Sequence, residues 1–121
     1  MTSKPAPNYM ERRAEPRVSV SAPGRVMHGE KMGLWADCII KDLSPSGAKV
    51  ELSHFYRLPP RFILLHFQEN VAYEVVLKWR RGDLAGMAFE RRHDLAATDD
   101  PRLTPVVEAW RALQPGLAKR G

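Results

Sequence analysis

The sequence predicts an all-β fold, a small six-stranded antiparallel β-barrel, followed by one C-terminal α-helix. Short apolar or alternating segments follow one another through most of the chain, and turn-forming residues separate them about every 8 to 12 residues. After residue 97 the apolar residues change to helical spacing. A length of 121 residues corresponds to a single domain.

The first two strands are predicted from alternation and from the turn residues between them. Apolar residues alternate with serines from Val18 onward, as in a half-buried strand. Pro23 and Gly24 interrupt the alternation, so we expect a bulge or an edge position there. Residues 28–31 provide a hairpin connection to a second strand at residues 34–43.

The rest of the barrel follows a turn at residues 45–47, where Pro, Ser and Gly end the second strand. A Leu-Pro-Pro break at residues 58–60 separates two of the later strands. The remaining strands are predicted at residues 48–52, 62–67, 73–79 and 84–89.

The predicted helix carries an apolar stripe, and acidic residues stand at its start. Asp99 and Asp100 place negative charge at the helix N-terminus, where the helix dipole favours it. We expect the stripe to pack on the barrel; the alternative is a surface for a partner protein. The stripe consists of Leu103, Val106, Val107, Trp110 and Leu113. The expected organisation is a disordered tail at residues 1–10, the barrel domain with its arginine-rich arm at 11–97, the helix at 98–115, and a basic tail at 116–121.

Composition argues against several classes of protein. No apolar run approaches the roughly 20 residues of a membrane span, and the N-terminus lacks a hydrophobic signal core, so we expect a cytoplasmic protein. The single cysteine, Cys38, lies in an apolar run and is predicted to be buried. The four histidines are too scattered for a local metal motif, and no serine has a nearby histidine and acid. We therefore expect neither an enzyme nor a cofactor.

The net charge of +5 depends mainly on arginine, which provides 13 of the 19 basic residues. Arginine favours flat anionic groups that it binds with two parallel hydrogen bonds. Eight arginines outside the motif described below are expected to be solvated surface residues. They are Arg25, Arg57, Arg61, Arg91, Arg92, Arg102, Arg111 and Arg120.

Two short segments carry the chemistry of a candidate binding site. The first is RRAEPR, which contains Arg12, Arg13 and Arg17. The second is DLSPSG, which begins 25 positions after Arg17. Because Pro16 disfavours helix in the residue before it, the first segment is expected to be extended and able to reach over a neighbouring surface.

The two segments together match the needs of a guanine nucleotide. Guanidinium groups pair with guanine O6 and N7 and with phosphate, and Asp42 can accept from guanine N1 and N2. Arg13 and Arg17 would supply these contacts, with Arg12 as a further phosphate contact. Ser44 adds a hydrogen bond, and Gly47 is expected to allow a positive φ and a close backbone approach. Taken singly, the segments fit a solvated basic arm and an ordinary β-turn.

The spacing of the segments resembles that of the PilZ domain family, whose members carry an Arg-Arg-x-x-x-Arg arm and an Asp/Asn-x-Ser-x-x-Gly turn. Arg12, Arg13 and Arg17 match the arm, and Asp42, Ser44 and Gly47 match the turn. The segments YEVVLKWRRG and GMAF downstream are similar to the family's last strand pair. The resemblance implies a PilZ-like split barrel that binds cyclic di-GMP, a bacterial second messenger, at those six residues. It also implies a downstream partner protein and a role such as motility, surface attachment, polysaccharide production or cell-cycle control.

Two other functions remain open. A basic barrel could bind single-stranded nucleic acid through arginines and stacking aromatics, namely Trp35, Phe55, Tyr56 and Trp79. We consider nucleic acid the less favoured partner because these aromatics are expected to be mostly buried. A ligand-free interaction module working through the Trp110 helix is the second alternative. Trp79 and Arg80 are further candidates for ligand contact from a neighbouring strand. The sequence leaves the oligomeric state open between a monomer and a weak dimer.

Overall fold

The computed structural model describes residues 17–120, with side chains as far as residue 113. The expected tail at residues 1–10 and most of the arginine arm lie outside the described residues. The strands are β1 (Val18–His28), β2 (Leu34–Ser44), β3 (Gly47–Glu51), β4 (Arg61–His66), β5 (Val71–Arg81) and β6 (Leu84–Asp94). Short 3-10 helices at Glu30–Met32 and Pro101–Leu103 precede β2 and the helix α1 (Thr104–Arg120).

The six strands form a closed barrel in the order β1-β2-β3-β6-β5-β4, and every neighbouring pair is antiparallel. This confirms the predicted fold class. Consecutive strands are neighbours except where β3 pairs with β6 and β1 with β4. The β3–β6 pairing places the turn after β2 beside residues 88 and 89 in the middle of β6, and this proximity creates the candidate site.

Two apolar clusters hold the fold together. One fills the barrel interior and includes Val26, Ile40, Val50, Leu64 and Val75. The other lies between the outer surface of the barrel and α1. Strand β4 serves both clusters, because its alternate residues point into the barrel and toward the helix, which explains why its sequence is continuously apolar.

Helix α1 packs on the barrel through the stripe that the sequence predicted. Leu103 and Val106 are buried in the second cluster, and Val107, Trp110 and Leu113 are half-buried against it. The indole Nε1 of Trp110 donates a hydrogen bond to Oδ1 of Asn70 at 2.9 Å. The barrel therefore covers this stripe, and the alternative that it forms a partner surface is not supported.

The helix differs from the predicted residues 98–115 at both ends. Asp100 caps the short 3-10 helix, where its side chain accepts from the backbone N–H of Arg102, and α1 begins only at Thr104. At the other end, α1 continues through Pro115 and Gly116 to Arg120. A proline inside a helix removes one hydrogen bond and need not end it. The expected basic tail is thus largely helical.

Strand β1 is not interrupted at Pro23-Gly24. The irregularity in its pairing with β2 lies between Ser19 and Ala22 instead. Pairing with β4 begins only at Gly24, so Pro23 does have the predicted edge position. A Cβ added to Gly24 would lie 3.0 Å from Cδ1 of Ile40 and 3.1 Å from the carbonyl oxygen of Leu65. Gly24 therefore allows β1 to approach two neighbouring strands closely. In the sequence pattern alone, the same glycine looks like a break in the strand.

Several arginines expected to be solvated are engaged in ion pairs. Nε of Arg25 lies 2.7 Å from Oδ1 of Asp37, and Arg102 bonds to Asp100 and Glu74. Arg61 pairs with Glu90. Asp37 lies on the strand paired with that of Arg25, Glu90 lies two strands away from Arg61 across β5, and Asp100 lies in the turn before α1. Of these contacts, Arg102 forms the one that joins two carboxylates.

Cys38 is buried, as predicted, and burial together with the Asp37 charge raises the pKa of its thiol to about 12. A thiol with so high a pKa is a poor nucleophile. Within residues 17–120, no three His, Cys, Asp or Glu side chains form a group able to hold a metal ion. The described part of the chain also contains no helix long and apolar enough to span a membrane.

Candidate functional site

The structure brings Arg17, Asp42, Ser44 and Gly47 together around one surface cavity of about 230 Å³. Asp42 and Ser44 end β2, Gly47 begins β3, and Arg17 directly precedes β1. The antiparallel pairing of β1 with β2 causes this meeting, because it sets the start of β1 beside the end of β2. The other two predicted site residues, Arg12 and Arg13, lie outside the described residues.

A row of cross-strand partners forms the floor of the site. Ser19 on β1 pairs with Asp42 on β2, and Asp42 pairs with Lys49 on β3. Lys49 pairs with Gly86 on β6, and Gly86 pairs with Trp79 on β5. Directly paired residues in a sheet share a face. The row therefore presents a hydroxyl, a carboxylate, an ammonium group and an indole side by side on the outside of the barrel.

Asp42 is held in place before any ligand arrives. Its Oδ2 lies 2.9 Å from Nζ of Lys49, and Oγ of Ser19 approaches Oδ1 at 3.5 Å. The Asp42 side chain remains 23% exposed. The carboxylate is thus oriented by its neighbours and still has room to accept further hydrogen bonds.

The turn after β2 is fixed by its own hydrogen bonds and by β6. Oγ of Ser44 donates to the carbonyl oxygen of Gly47 at 3.3 Å, and the N–H of Phe89 donates to the carbonyl oxygen of Ser46 at 2.8 Å. A Cβ on Gly47 would lie 2.4 Å from the carbonyl oxygen of Met87. The expected close backbone approach is therefore present, and the close neighbour is β6.

The expected positive φ at Gly47 is wrong. Among the described glycines, positive φ values occur at Gly29 and Gly82. Gly47 begins a strand and pairs with Ala88, so its backbone is extended. Position 47 requires glycine because a side chain there would collide with the backbone of β6.

Trp79 lies over Gly86 at one side of the cavity. A Cβ on Gly86 would lie 2.1 Å from Nε1 of Trp79, so the indole occupies the space that a side chain would need. Trp79 is 38% exposed, and Cζ of Arg81 lies 5.4 Å from the centre of its ring. A register shift between Leu77 and Trp79 interrupts the alternation of β5, which had suggested burial for Trp79. The indole therefore offers a flat apolar face to the cavity.

Arg80 does not belong to the site. Its guanidinium donates to the carbonyl oxygens of Leu52, Ser53 and Tyr56, and its Nε donates to that of Gly82. These contacts hold the loop after β3 against the end of β5. The expectation that Arg80 contacts a ligand is therefore not supported, because its donors are used within the protein.

The cavity also contains residues that the sequence motifs did not indicate. Lys49 and Lys78 add positive charge beside Arg17, and Asp42 is the acidic residue among the described lining residues. Lys49 and Ser19 follow from the register of β1, β2 and β3, which the motifs do not encode. The balance of charge suits a ligand that carries phosphate groups and also has donors for one carboxylate.

The expectation of buried aromatics is wrong for three of the four residues named. Trp35 is 49% exposed, Phe55 is 82% exposed, and Trp79 is partly exposed as described above. The guanidinium of Arg25 covers the Trp35 ring at 3.8 Å from its centre. Tyr56 is half-buried and its hydroxyl lies 2.7 Å from Nε2 of His28. Exposure at these positions keeps a stacking role open.

Comparison with known proteins identifies the family. No curated protein matches the chain closely enough to count as a relative. A family model described as PilZ domain matches residues 11–99 of the 121 residues, a range that contains both motifs and all six strands. The chain belongs to the PilZ domain family.

Proposed function

We propose that this protein is a receptor for cyclic di-GMP that passes the signal to a partner protein. PilZ domains are ligand-binding adaptors, and the family is known for cyclic di-GMP receptors. The observation that carries the proposal is the meeting of Arg17, Asp42, Ser44 and Trp79 around one cavity. Each of these side chains has a distinct task toward a guanine nucleotide.

Asp42 reads the base in this proposal. An ionised carboxylate accepts hydrogen bonds only, and guanine offers it the N1 and N2 hydrogens, a pair that adenine lacks. Each good two-point contact with a base contributes about 1 to 3 kcal/mol of discrimination. Lys49 holds Asp42 from one side, so the carboxylate keeps its orientation while the base approaches from the open side.

Trp79 and Arg17 hold the ligand from two directions. The exposed indole face offers a stacking surface for a purine, which typically contributes about 1 to 3 kcal/mol. Arg17 lies at the cavity edge and presents its guanidinium to guanine N7 and O6 or to phosphate. Arg12 and Arg13 precede it by a few positions, and we assign them to the remaining guanine and phosphate contacts.

The arginine arm has to complete the site. A cavity of about 230 Å³ is below the ~300–1,000 Å³ typical of ligand pockets, so the described residues form one wall of it. Ordering the arm over the ligand costs roughly 1 to 2 kcal/mol per residue, which reduces the net affinity. We expect a Kd near the micromolar range, or about 8 kcal/mol.

Calorimetry with single alanine variants tests this proposal. Arg13→Ala, Arg17→Ala and Asp42→Ala should each weaken cyclic di-GMP binding at least about tenfold, or 1.4 kcal/mol, and leave the circular dichroism spectrum unchanged. Arg57→Ala and Asp99→Ala are matched controls, since both side chains are exposed and neither lines the cavity. Wild-type affinity in all three site variants would refute the assignment.

Binding of single-stranded nucleic acid is the second candidate, and the exposure of Trp35, Phe55 and Trp79 favours it. An oligonucleotide binder neutralises many phosphates, so its affinity falls steeply as salt is added. Cyclic di-GMP carries two phosphates and should show a shallow salt dependence. Titration of oligothymidylate and cyclic di-GMP at two salt concentrations separates the candidates.

A further inference from the structure

A second cavity, of about 540 Å³, lies at the end of the barrel near the start of β1 and the end of β4. Ala22, His66 and Tyr73 are the buried residues that line it, and Val20 and Leu43 contribute half-buried apolar side chains. Exposed lining residues, including Gln68 and Glu69, mark its rim. The volume is within the ~300–1,000 Å³ range of small-molecule sites.

His66 is the buried polar residue of this cavity and is only 3% exposed. It lies two positions after Leu64, whose side chain fills the barrel interior, so the alternation of β4 directs His66 to the same inner side. Its Nδ1 accepts a hydrogen bond from the backbone N–H of Glu69 at 3.4 Å. A neutral imidazole that accepts at Nδ1 carries its proton on Nε2.

The neutral form is favoured at neutral pH. Burial lowers the pKa of His66 and outweighs the opposite effect of the nearby Glu69 charge. Within residues 17–113, Nε2 of His66 has no hydrogen-bond partner from the protein. A buried donor without a partner costs about 1 to 3 kcal/mol, so an acceptor that enters the cavity regains that energy.

The charge of the lining residues determines which kind of hydrogen-bond acceptor the cavity can hold. Among the described residues around the cavity, none is Lys or Arg, and Glu69 places a negative charge at the rim. A carboxylate or phosphate ligand would be repelled, whereas a neutral oxygen would not. We propose that this cavity binds a small neutral molecule that is apolar except for a carbonyl or ether oxygen, which accepts a hydrogen bond from Nε2 of His66.

This site is independent of the proposed nucleotide function. The two cavities share Leu43 and Ser44 but are otherwise lined by different residues, and Asp42 and Trp79 lie outside the second one. The proposal therefore holds or fails without cyclic di-GMP, and its test uses none.

A matched pair of probes tests the proposal on the full chain. Cyclohexanone and methylenecyclohexane have the same ring shape, but only the ketone accepts a hydrogen bond. We expect cyclohexanone to bind about 2- to 10-fold more tightly in NMR titrations, the effect of one net hydrogen bond. The Nε2 resonance of His66 should shift with the ketone only.

Histidine variants locate the effect. His66→Leu should abolish the preference for the ketone, and His66→Gln, which keeps a donor, should restore part of it. His28→Leu is the control, because His28 bonds to Tyr56 and does not line this cavity. Equal affinity of the wild type for both probes, or no binding of either, would overturn the proposal. The proposal would also be overturned if, in solution, residues 1–16 filled the cavity and contacted His66. The wild-type Nε2 measurement decides the matter even if His66→Leu does not fold.

Discussion

Lys49 and Asp42 face each other on paired strands, with Nζ of the lysine 2.9 Å from Oδ2 of the aspartate. The ion pair is partly exposed, since the two side chains retain 38% and 23% of their accessible surface. Such pairs contribute about 0 to 1 kcal/mol to stability. The pair therefore matters more for the proposed site, where it sets the orientation and local charge of the base-reading carboxylate.

Lys49→Met should weaken cyclic di-GMP binding about threefold to tenfold, because the change leaves the Asp42 charge uncompensated beside a ligand with two phosphates. The free energy of unfolding should fall by less than about 1 kcal/mol. Calorimetry and urea unfolding measure the two effects. Lys41→Met is the control, since Lys41 pairs loosely with Glu51 at 3.9 Å and does not line the cavity. Tighter binding by Lys49→Met would mean that the lysine competes with the base for Asp42.

Gly86→Ala should displace the Trp79 ring and leave the barrel intact. The added Cβ would lie 2.1 Å from Nε1, and an exposed indole can rotate away where a backbone atom cannot. Loss of the stacking face should weaken cyclic di-GMP binding by about 1 to 3 kcal/mol, as Trp79→Ala should.

A double-mutant cycle distinguishes this mechanism from general damage. If Gly86→Ala acts only through the indole, it should have little further effect on binding in the Trp79→Ala background. Additive losses in the double variant would show that Gly86 acts on the site by another route. Calorimetry of the four proteins supplies all the required values.

Arg80→Ala should destabilise the fold without weakening ligand binding. Its guanidinium bonds to carbonyl oxygens of Leu52, Ser53 and Tyr56 at 3.2, 2.6 and 2.9 Å, and water can replace only part of these contacts. We expect a loss of about 2 to 3 kcal/mol in urea unfolding, the contribution of one or two hydrogen bonds to a charged group.

The neighbouring Arg81 provides the control for Arg80. It is exposed, and Arg81→Ala should change the free energy of unfolding by less than about 0.5 kcal/mol. Hydrogen exchange should accelerate in the loop at residues 53–57 for Arg80→Ala alone. A stable Arg80→Ala variant with reduced cyclic di-GMP affinity would show that Arg80 belongs to the binding site.

Most of the fold could be predicted from the sequence because it depends on local patterns. The turn residues at 45–47 and 58–60 separate strands as predicted, and the stripe around Trp110 packs as predicted. The helix bounds were missed because Pro115 and Gly116, which usually mark the end of a helix, lie within α1. The bulge in β1 was predicted at the wrong residues. Gly24 is needed for close packing against Ile40 and Leu65, but a glycine in a strand pattern also indicates a bulge, and the residue type alone does not distinguish the two.

The site was predictable only where a motif names its residues. Asp42, Ser44 and Gly47 lie within six consecutive residues, whereas Lys49 and Trp79 join them through the register of β2, β3, β6 and β5. Register depends on how the whole barrel closes, so no short segment encodes it. The same applies to Arg80, whose partners in the loop after β3 are more than twenty residues away in sequence.

Acid should weaken the attachment of the turn before α1 to the barrel. Oε2 of Glu74 lies 2.7 Å from Nε2 of His93 and 3.2 Å from Nη2 of Arg102, which joins β5 to β6 and to the 3-10 helix at Pro101–Leu103. The hydrogen bond from His93, with help from the Arg102 charge, lowers the pKa of Glu74 below its usual 4.5. A carboxyl group with a lowered pKa in the folded state stabilises the protein above the unfolded-state pKa, and this contribution is lost as the pH falls through the folded-state pKa.

Glu74→Gln tests this pH dependence. Urea unfolding at about pH 6 and about pH 3 should show the wild type to be more stable than Glu74→Gln at the higher pH, with the difference shrinking at the lower pH as the native carboxylate becomes protonated. Glu108→Gln, at an exposed position on α1, should follow the wild type at both values. The protection of the α1 amides, measured relative to their intrinsic exchange rates at each pH, should fall in acid for the wild type, because loss of the Glu74 charge frees Arg102 from β5. A stability difference between wild type and Glu74→Gln that stays constant with pH would show that shape, and not charge, accounts for the role of Glu74.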